Sequence, residues 1–224
     1  MEGIDFGYTF DADGGAGNAF IAGPAEYTLR FTCHGVAAHA GMAPEKGTNA
    51  VMMAAKGIAK APTGRIDEET TCNIGVISGG IATNIVPELC VVRAEVRSRN
   101  PEKLEKITDE IITAFEKTAA EFPEGKLDVE KNKEYESFEI ENEAPVLKLF
   151  RAACKEAGFE VKTAPSGGGS DANWFGTKGF PAMLCGVGMT DFHTNRETLK
   201  EKDLYDAGEL VYRILEAESH FAGH

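Results

Sequence analysis

Between residues 24 and 137, the apolar residues follow the spacing of a strand in some stretches and the spacing of a helix in others. Apolar residues alternate with polar ones along residues 25–33, which predicts a strand. After Asn100, a preferred N-cap, and Pro101, a preferred first helical residue, they recur at helical spacing. The same criteria predict strands at 25–33, 70–78, 85–97 and 127–135 and helices at 49–60 and 101–121. The order strand–helix–strand–strand–helix–strand is that of a ferredoxin-like α+β unit.

The rest of the chain alternates single strands with helices. Strands are predicted at 159–163 and 182–187 and helices at 144–157 and 203–221, with a glycine-rich loop, SGGGSDAN, after the first strand. This order favours a parallel α/β sheet, yet two or three strands cannot complete one, and residues 1–23 would add only an edge. The sequence predicts a partial α/β domain, residues 1–23 and 138–224, into which a ferredoxin-like domain, residues 24–137, is inserted.

Composition and charge exclude several classes of protein. Hydrophobic residues make up 42% and charged residues 26% of the 224 residues, as in an ordinary globular chain. The net charge of −13 repels nucleic-acid phosphates, so we expect no nucleic-acid partner. No apolar run of about 18 residues occurs, and the segment MEGIDFGYTF lacks the features of a signal peptide, so we expect no membrane partner either.

Cysteine usage points to a reducing compartment. The five cysteines are odd in number, far apart and mostly set in apolar runs, with no CxxC pair: Cys33, Cys72, Cys90, Cys154 and Cys185. This pattern predicts reduced, buried thiols in a cytoplasmic protein rather than disulfides or a zinc ribbon.

Several acidic and histidine residues follow predicted strands, where ligands bind in open α/β sheets. Asp11 and Asp13, in YTFDADGG, are candidate metal ligands, although their glycine neighbours favour a simple turn. His193 follows the strand at 182–187 and is either a ligand or a structural histidine. Two residues do not make a zinc site, because catalytic zinc needs three protein ligands and an open position.

Two loops could bind an anion. His39, in HGVAAHAG, could donate a hydrogen bond to an anionic ligand or transition state, or be an ordinary exposed histidine. The only argument for His34 as a further candidate is that it lies near His39 in the sequence. Gly167–Gly169, with Ser170 and Asp171, could cradle a carboxylate or phosphate with backbone N–H groups ahead of a helix near Ala172. The loop is neither a Walker A motif nor a GxSxG elbow.

Five separated motifs together resemble the M20 family of di-zinc peptidases, in its peptidase T-like branch. They are YTFDADGG, HGVAAHAGMAPEKGTNA, GGIATNIVPE with AEVRSR, SGGGSDAN and FHTNRE. The resemblance implies an α/β catalytic domain with two bridged zinc ions and a ferredoxin-like lid that forms a homodimer. It also implies roles for individual residues: Asp11 and His193 as ligands of different zinc ions, His39 stabilising the oxyanion across the dimer, Asn84 and Arg97 holding the substrate's carboxylate or backbone, and Gly168, Gly169 and Ser170 lining the pocket.

The chain departs from this family in one large respect. It contains no HxD triplet, and Glu68–Glu69 lies within the predicted insert, so nothing matches the family's metal-binding His, bridging Asp or Glu-Glu pair. We therefore expect the C-terminal portion of an aminopeptidase that acts on short peptides, inactive by itself. The alternatives are a non-catalytic dimerisation or binding module and a hydrolase of N-acyl amino acids or other amides.

Two further choices concern single residues. Asp11 is favoured over Asp13 as the ligand, because Tyr8-Thr9-Phe10 leads directly to Asp11 and Gly14 turns the chain. Met52 and Met53 either pack against a second copy in a C₂ contact, beside the exposed edge of the insert's sheet, or cover that sheet within one chain.

Overall fold

The structure, a computed structural model, describes residues 5–221, the last three by their backbone alone. It divides into two units, Met1–Pro24 with Tyr135–His224 (the α/β unit) and Ala25–Glu134 (the inserted unit). The strands are β1 Gly7–Asp13, β2 Asn18–Gly23, β3 Ala25–His34, β4 Ala38–His39, β5 Gly64–Arg65, β6 Thr70–Gly79, β7 Ile85–Val86, β8 Leu89–Ser98, β9 Lys126–Tyr135, β10 Phe138–Glu139, β11 Lys162–Pro165 and β12 Ala182–Met189. The helices are α1 Ala50–Lys60, α2 Pro101–Ala119, α3 Pro145–Ala157, α4 Asp171–Thr177 and α5 Glu201–Phe221. The mixed α/β fold class is as predicted.

The inserted unit contains a five-stranded sheet in the order β5-β6-β8-β3-β9, with α1 and α2 packed against it. The predicted order of strands and helices is confirmed. The prediction of one continuous strand at 85–97 was wrong, because Pro87 and Glu88 separate a short β7 from β8. Proline lacks the N–H that a continuous ladder requires, so the strand is interrupted there.

The core of the inserted unit lies between its helices and its sheet. Phe31 of β3 stacks on Phe115 of α2 with ring centroids 3.9 Å apart, and both side chains are fully buried. Gly57 of α1 lies against the same ring, since a Cβ there would stand 2.7 Å from Phe115 Cδ1. Met53 is buried in this core whereas Met52 is half exposed, so only one of the two methionines covers the sheet.

Among the described residues, no strand pairs with one edge of this sheet over part of its length. β5 pairs with β6 only at Thr71 and Cys72. Beyond them, Asn73–Gly79 is open along that edge and carries the exposed side chains of Val76 and Ile77. An open strand edge with exposed apolar side chains is a surface on which another strand can pair.

The α/β unit has its own five-stranded sheet, in the order β1-β12-β2-β10, with β11 also paired to β2. β1 runs parallel to β12, and β2 is antiparallel to β12. The expectation that residues 1–23 would add only an edge was wrong, because β2 lies inside the sheet, between β12 and β10. The strand predicted at 159–163 is displaced to Lys162–Pro165, beginning where Lys162 N donates to Gly17 O at 3.0 Å.

Helices α3 and α5 pack on each other and on β12, around buried residues such as Phe150, Met183 and Leu210. The Tyr8 hydroxyl donates to Val146 O at 2.6 Å, and burial raises the pKa of this phenol well above its usual value. All five cysteines are free and buried, as predicted, and burial raises the pKa of the Cys154 thiol to about 12. Within residues 5–221, no helix is long and apolar enough to span a membrane.

Candidate functional site

Asp11 and His193 come to the same end of the α/β sheet. Asp11 lies near the end of β1, and His193 follows the end of the adjacent, parallel β12. The side chains of Asp11, Asp13 and His193 are all exposed. The two predicted metal ligands, Asp11 and His193, thus lie at the carboxyl ends of adjacent strands, where open α/β sheets bind ligands.

β1 continues further than the glycines predicted. It includes Asp13, and its register with β12 shifts on either side of Ala12. The close approach of the two backbones explains this extension, because Gly188 N donates to Gly14 O at 2.6 Å and a Cβ on Gly186 would lie 2.6 Å from Asp13 O. Within β1 the side chains alternate, with Asp11 exposed, Ala12 buried and Asp13 exposed, so both carboxylates lie on the same side of the strand. The expectation that the chain already turns at Asp13 was wrong, and this argument for Asp11 over Asp13 is lost.

His193 occupies a closed loop with an unusual backbone. Thr190 and Thr198 bridge its two ends through backbone hydrogen bonds of 3.0 and 3.1 Å. Both Asp191 and His193 have positive φ angles, 50° and 62°, which L-residues rarely adopt. His193 N donates to Glu197 Oε2 at 2.9 Å, and this bond helps to hold the strained conformation.

The donor atoms available here fit a zinc ion but do not complete its site. A carboxylate oxygen and an imidazole nitrogen are ordinary zinc ligands, and both are exposed. In the part of the chain that the structure describes, no group of three His, Cys, Asp or Glu residues could hold a metal ion.

In the inserted unit, His39 of β4 lies beside Asn84, the turn residue directly before β7, although the two are far apart in sequence. β4 pairs antiparallel with β7, with His39 opposite Ile85, and Ala40 N donates to Asn84 O at 3.0 Å. His39 Nδ1 accepts hydrogen bonds from the backbone N–H groups of Gly41 and Met42, each at 3.2 Å. The exposed His39 ring is therefore held by its own turn.

Arg97, a predicted substrate-binding residue, is engaged in ion pairs. Its Nε lies 3.0 Å from Oε2 of the buried Glu26, which is directly opposite on β3, and its Nη2 lies 3.0 Å from Glu95 Oε2. The sequence analysis missed Glu26, which strand register would have placed opposite Arg97.

The glycine loop is held by internal hydrogen bonds. Gly168 N donates to Ser166 Oγ at 3.1 Å, and Ser170 caps α4 by accepting from Ala172 N at 3.3 Å. Asn173, which the sequence analysis also missed, is 1% exposed and donates its amide to Pro24 O and Glu136 O. The signal for it was the spacing Ser170-x-x-Asn173, a variant of the capping box.

The comparison with family models concerns the inserted unit. Residues 25–123 match the M20 model described as a peptidase dimerisation domain. These residues belong to that domain family. The match confirms the resemblance to M20 peptidases that the motifs indicated.

Comparisons over nearly the whole chain identify bacterial relatives. The chain is 39% identical to "Uncharacterized protein YqjE" of Bacillus subtilis, over 94% of this chain and 57% of that protein. It is 40% identical to the aminopeptidase PepT from Bacillus cereus (TM-score 0.82; 95% of this chain, 57% of that one). It is 35% identical to a tripeptidase from Staphylococcus aureus (TM-score 0.85; 94% and 56%). The chain thus spans little more than half the length of these relatives.

A more distant structure bears on the metal. The Bacillus subtilis YXEP protein, described as a dinuclear metal binding peptidase from the M20 family, is 17% identical with a TM-score of 0.65, over 93% of this chain and 55% of that one. At this identity the likeness shows the fold alone. Dinuclear metal binding is therefore a property of that relative.

Proposed function

We propose that this chain contributes part of an M20-type metallopeptidase that removes residues from short peptides, with tripeptides as the favoured substrates. The observation that carries the proposal is the likeness, at 35–40% identity and across both units, to solved structures of an aminopeptidase and a tripeptidase. It favours peptides over N-acyl amino acids or other amides as substrates. By itself the chain is inactive, because the described residues offer too few metal ligands and the sequence lacks a matching Glu-Glu pair.

The metal-binding role falls to Asp11 and His193. Each would hold one of two zinc ions at the end of the α/β sheet. Support comes from the position of Asp11 near the end of β1 and of His193 in the loop after the adjacent parallel strand β12. When bound, such ions lower the pKa of water and polarise the substrate carbonyl. The chain's own contribution is to fix His193, through its left-handed backbone and the bond from its N–H to Glu197.

The substrate-binding roles fall on both units. His39 would donate a hydrogen bond to the oxyanion in the site of the partner copy. Asn84, in the turn before the neighbouring strand β7, would bind the substrate's backbone or carboxylate. Arg97 would share its charge between Glu26 and the substrate. Gly168, Gly169 and Ser170 would line the pocket mainly with backbone, because the Ser170 hydroxyl already caps α4.

The proposed assembly is a homodimer through the inserted unit. The open edge Asn73–Gly79, with Val76 and Ile77 exposed, would pair with its copy across a two-fold axis. Met52, exposed on α1, would add an adaptable apolar contact. Five free, buried thiols support a cytoplasmic location.

A non-catalytic dimerisation module is the second candidate, favoured by the match of the family model to residues 25–123 alone. A tripeptide hydrolysis assay on the purified chain with added zinc tests inactivity, with no turnover expected. Turnover that follows the protein through purification and vanishes in His193→Ala would contradict it. The coding sequence upstream separates the two candidates: an in-frame segment with HxD and Glu-Glu motifs supports the peptidase, and its absence supports the module.

The choice of Asp11 over Asp13 is tested in the complete enzyme. Asp11→Ala should abolish tripeptide turnover and lower the zinc content, because a ligand is lost. Asp13→Ala is the matched control and should mainly lower stability, by about 1 kcal/mol. The reverse ranking in zinc content would move the ligand to Asp13.

A further inference from the structure

The turn after His39 donates backbone hydrogen bonds to two groups of that residue, its ring nitrogen Nδ1 and its backbone oxygen. Gly41 N and Met42 N both donate to the ring nitrogen Nδ1, each at 3.2 Å. The backbone oxygen of His39 accepts from Met42 N at 3.2 Å and from Ala43 N at 3.0 Å. Backbone N–H groups thus surround Nδ1, and none of them can accept a proton from it.

This arrangement determines which ring nitrogen carries the proton. In a neutral imidazole one nitrogen donates and the other accepts, and a hydrogen bond at one nitrogen selects the tautomer. A proton on Nδ1 would oppose the N–H groups of Gly41 and Met42. The bond from Gly41 would be lost, and the single N–H of Met42, which Nδ1 shares with His39 O, would keep only that carbonyl oxygen. A proton on Nε2 is compatible with all of these bonds.

We infer that the turn 39–43 fixes neutral His39 as the tautomer protonated at Nε2, with Gly41 as a positioning residue. The ring then offers a hydrogen-bond donor at its exposed end and no acceptor there. Such a ring stabilises an anionic oxygen but cannot act as a general base through Nε2. This assignment of the donor deepens the proposed function and rests on it for the identity of the acceptor, a developing oxyanion.

The supports on either side of the turn restrict how the ring can reorient. Ala38 and His39 are paired with Val86 and Ile85, so the start of the turn belongs to a two-stranded ribbon. After the turn, Gly47 packs against this ribbon, where a Cβ would lie 2.9 Å from the side chains of Ala38 and Val86. A turn anchored at both ends can hold an exposed ring in one orientation.

Gly41 provides a matched pair of variants. A Cβ at this position would lie 3.7 Å from His39 Cε1 and 3.8 Å from Nδ1, which is ordinary van der Waals contact. Gly41→Ala therefore keeps both the N–H donor and the space. Gly41→Pro removes that donor while leaving Met42 N in place.

The test is ¹⁵N NMR of the purified chain, labelled at histidine, at a pH where imidazole is neutral. The His39 signals are assigned by their loss in His39→Gln. We expect an unprotonated Nδ1 and a protonated Nε2 in the unmodified chain and in Gly41→Ala, with the Nδ1–H form increasing at least severalfold in Gly41→Pro. A protonated Nδ1, or an averaged mixture of tautomers, in the unmodified chain would overturn the inference.

The inference and the proposed function can fail independently of each other. The tautomer is measured without substrate or metal, so inactivity towards tripeptides leaves the spectral result intact. If Gly41→Pro does not fold, the spectrum of the unmodified chain still decides. A Gly41→Pro spectrum identical to that of Gly41→Ala would remove Gly41 from the positioning role.

Discussion

The inserted unit and the α/β unit present their candidate functional residues in different ways. In the inserted unit, His39 and Arg97 are each held by several hydrogen bonds or ion pairs above a core centred on Phe31 and Phe115. In the α/β unit, Asp11 and His193 stand exposed at the end of a sheet. Apolar side chains on α5 are exposed as well: Leu204, Tyr205, Tyr212 and Leu215.

The difference concerns how the candidate functional residues are held, since both units expose apolar side chains, among them Val76 and Ile77 of the inserted unit. The inserted unit orients its polar groups with neighbours from its own strands and turns. The α/β unit orients the backbone of His193 and the amide of Asn173, but leaves the side chains of Asp11 and His193, the predicted metal ligands, and part of α5 exposed. Exposed apolar patches of this kind commonly mark surfaces that bind another partner.

The largest expected effect tests the core of the inserted unit. Phe115→Ala removes a fully buried ring that stacks on Phe31, and should lower the free energy of unfolding by about 3–5 kcal/mol. The control is Phe192→Ala, at an exposed position of the α/β unit, with an expected change within about 0.5 kcal/mol. Urea denaturation followed by circular dichroism measures both, and equal losses would contradict the assigned core.

The next effect tests the buried polar anchor of the α/β unit. Asn173→Ala leaves Pro24 O, Glu136 O and Ser170 N without their partner, at a cost of about 2–3 kcal/mol. The control is Asn132→Ala, at an exposed position of the inserted unit, for which we expect little change. Hydrogen exchange at the Ser170 amide should accelerate only in the first variant; unchanged exchange there would rule out the anchoring role.

A smaller effect is expected at the ion pair of the inserted unit. Glu26→Gln removes the buried charge opposite Arg97, and since Arg97 retains Glu95 and some solvent contact, we expect a loss of about 1–2 kcal/mol. Glu130→Gln breaks the exposed pair with Arg30, which lies at 3.6 Å, and should cost between about 0 and 1 kcal/mol. A larger loss in Glu130→Gln than in Glu26→Gln, by the same denaturation assay, would reverse this ranking.

The sequence predicted the inserted unit better than the α/β unit, for a physical reason. The elements of the inserted unit have strong local signals: alternation along β3, and the Asn100 cap of α2, which is observed. Asn49, predicted as the first residue of its helix, is instead the N-cap of α1. In the α/β unit, β2 enters the middle of its sheet through pairing with β11 and β12, which lie far away in the chain. Local periodicity carries no information about such non-local pairing.

The candidate site shows the same division. Motif order located Asp11, His39, Asn84 and His193, and the structure brings His39 beside Asn84, because β4 pairs with β7 and Ala40 N donates to Asn84 O. The hydrogen bonds that hold them could not be predicted from sequence. The positive φ of His193 and the two N–H groups on His39 Nδ1 arise from backbone geometry, which side-chain pattern does not encode.

The smallest effect concerns a partly exposed carboxyl of the inserted unit, that of Asp67. Lys103 Nζ lies 2.9 Å from Asp67 Oδ2, and this bond, together with the N–H of Glu69, lowers the pKa of Asp67 from 3.8 to about 2. A depressed pKa in the folded state means that the associated stability is fully present above about pH 4 and is lost as the pH falls through about 2. NMR titration of the Asp67 carboxyl should give this low value, and Lys103→Met should raise it towards the ordinary range. Because Asp67 is partly exposed, added salt should also raise its pKa. A pKa insensitive to both changes would show that the Glu69 N–H alone holds the carboxylate.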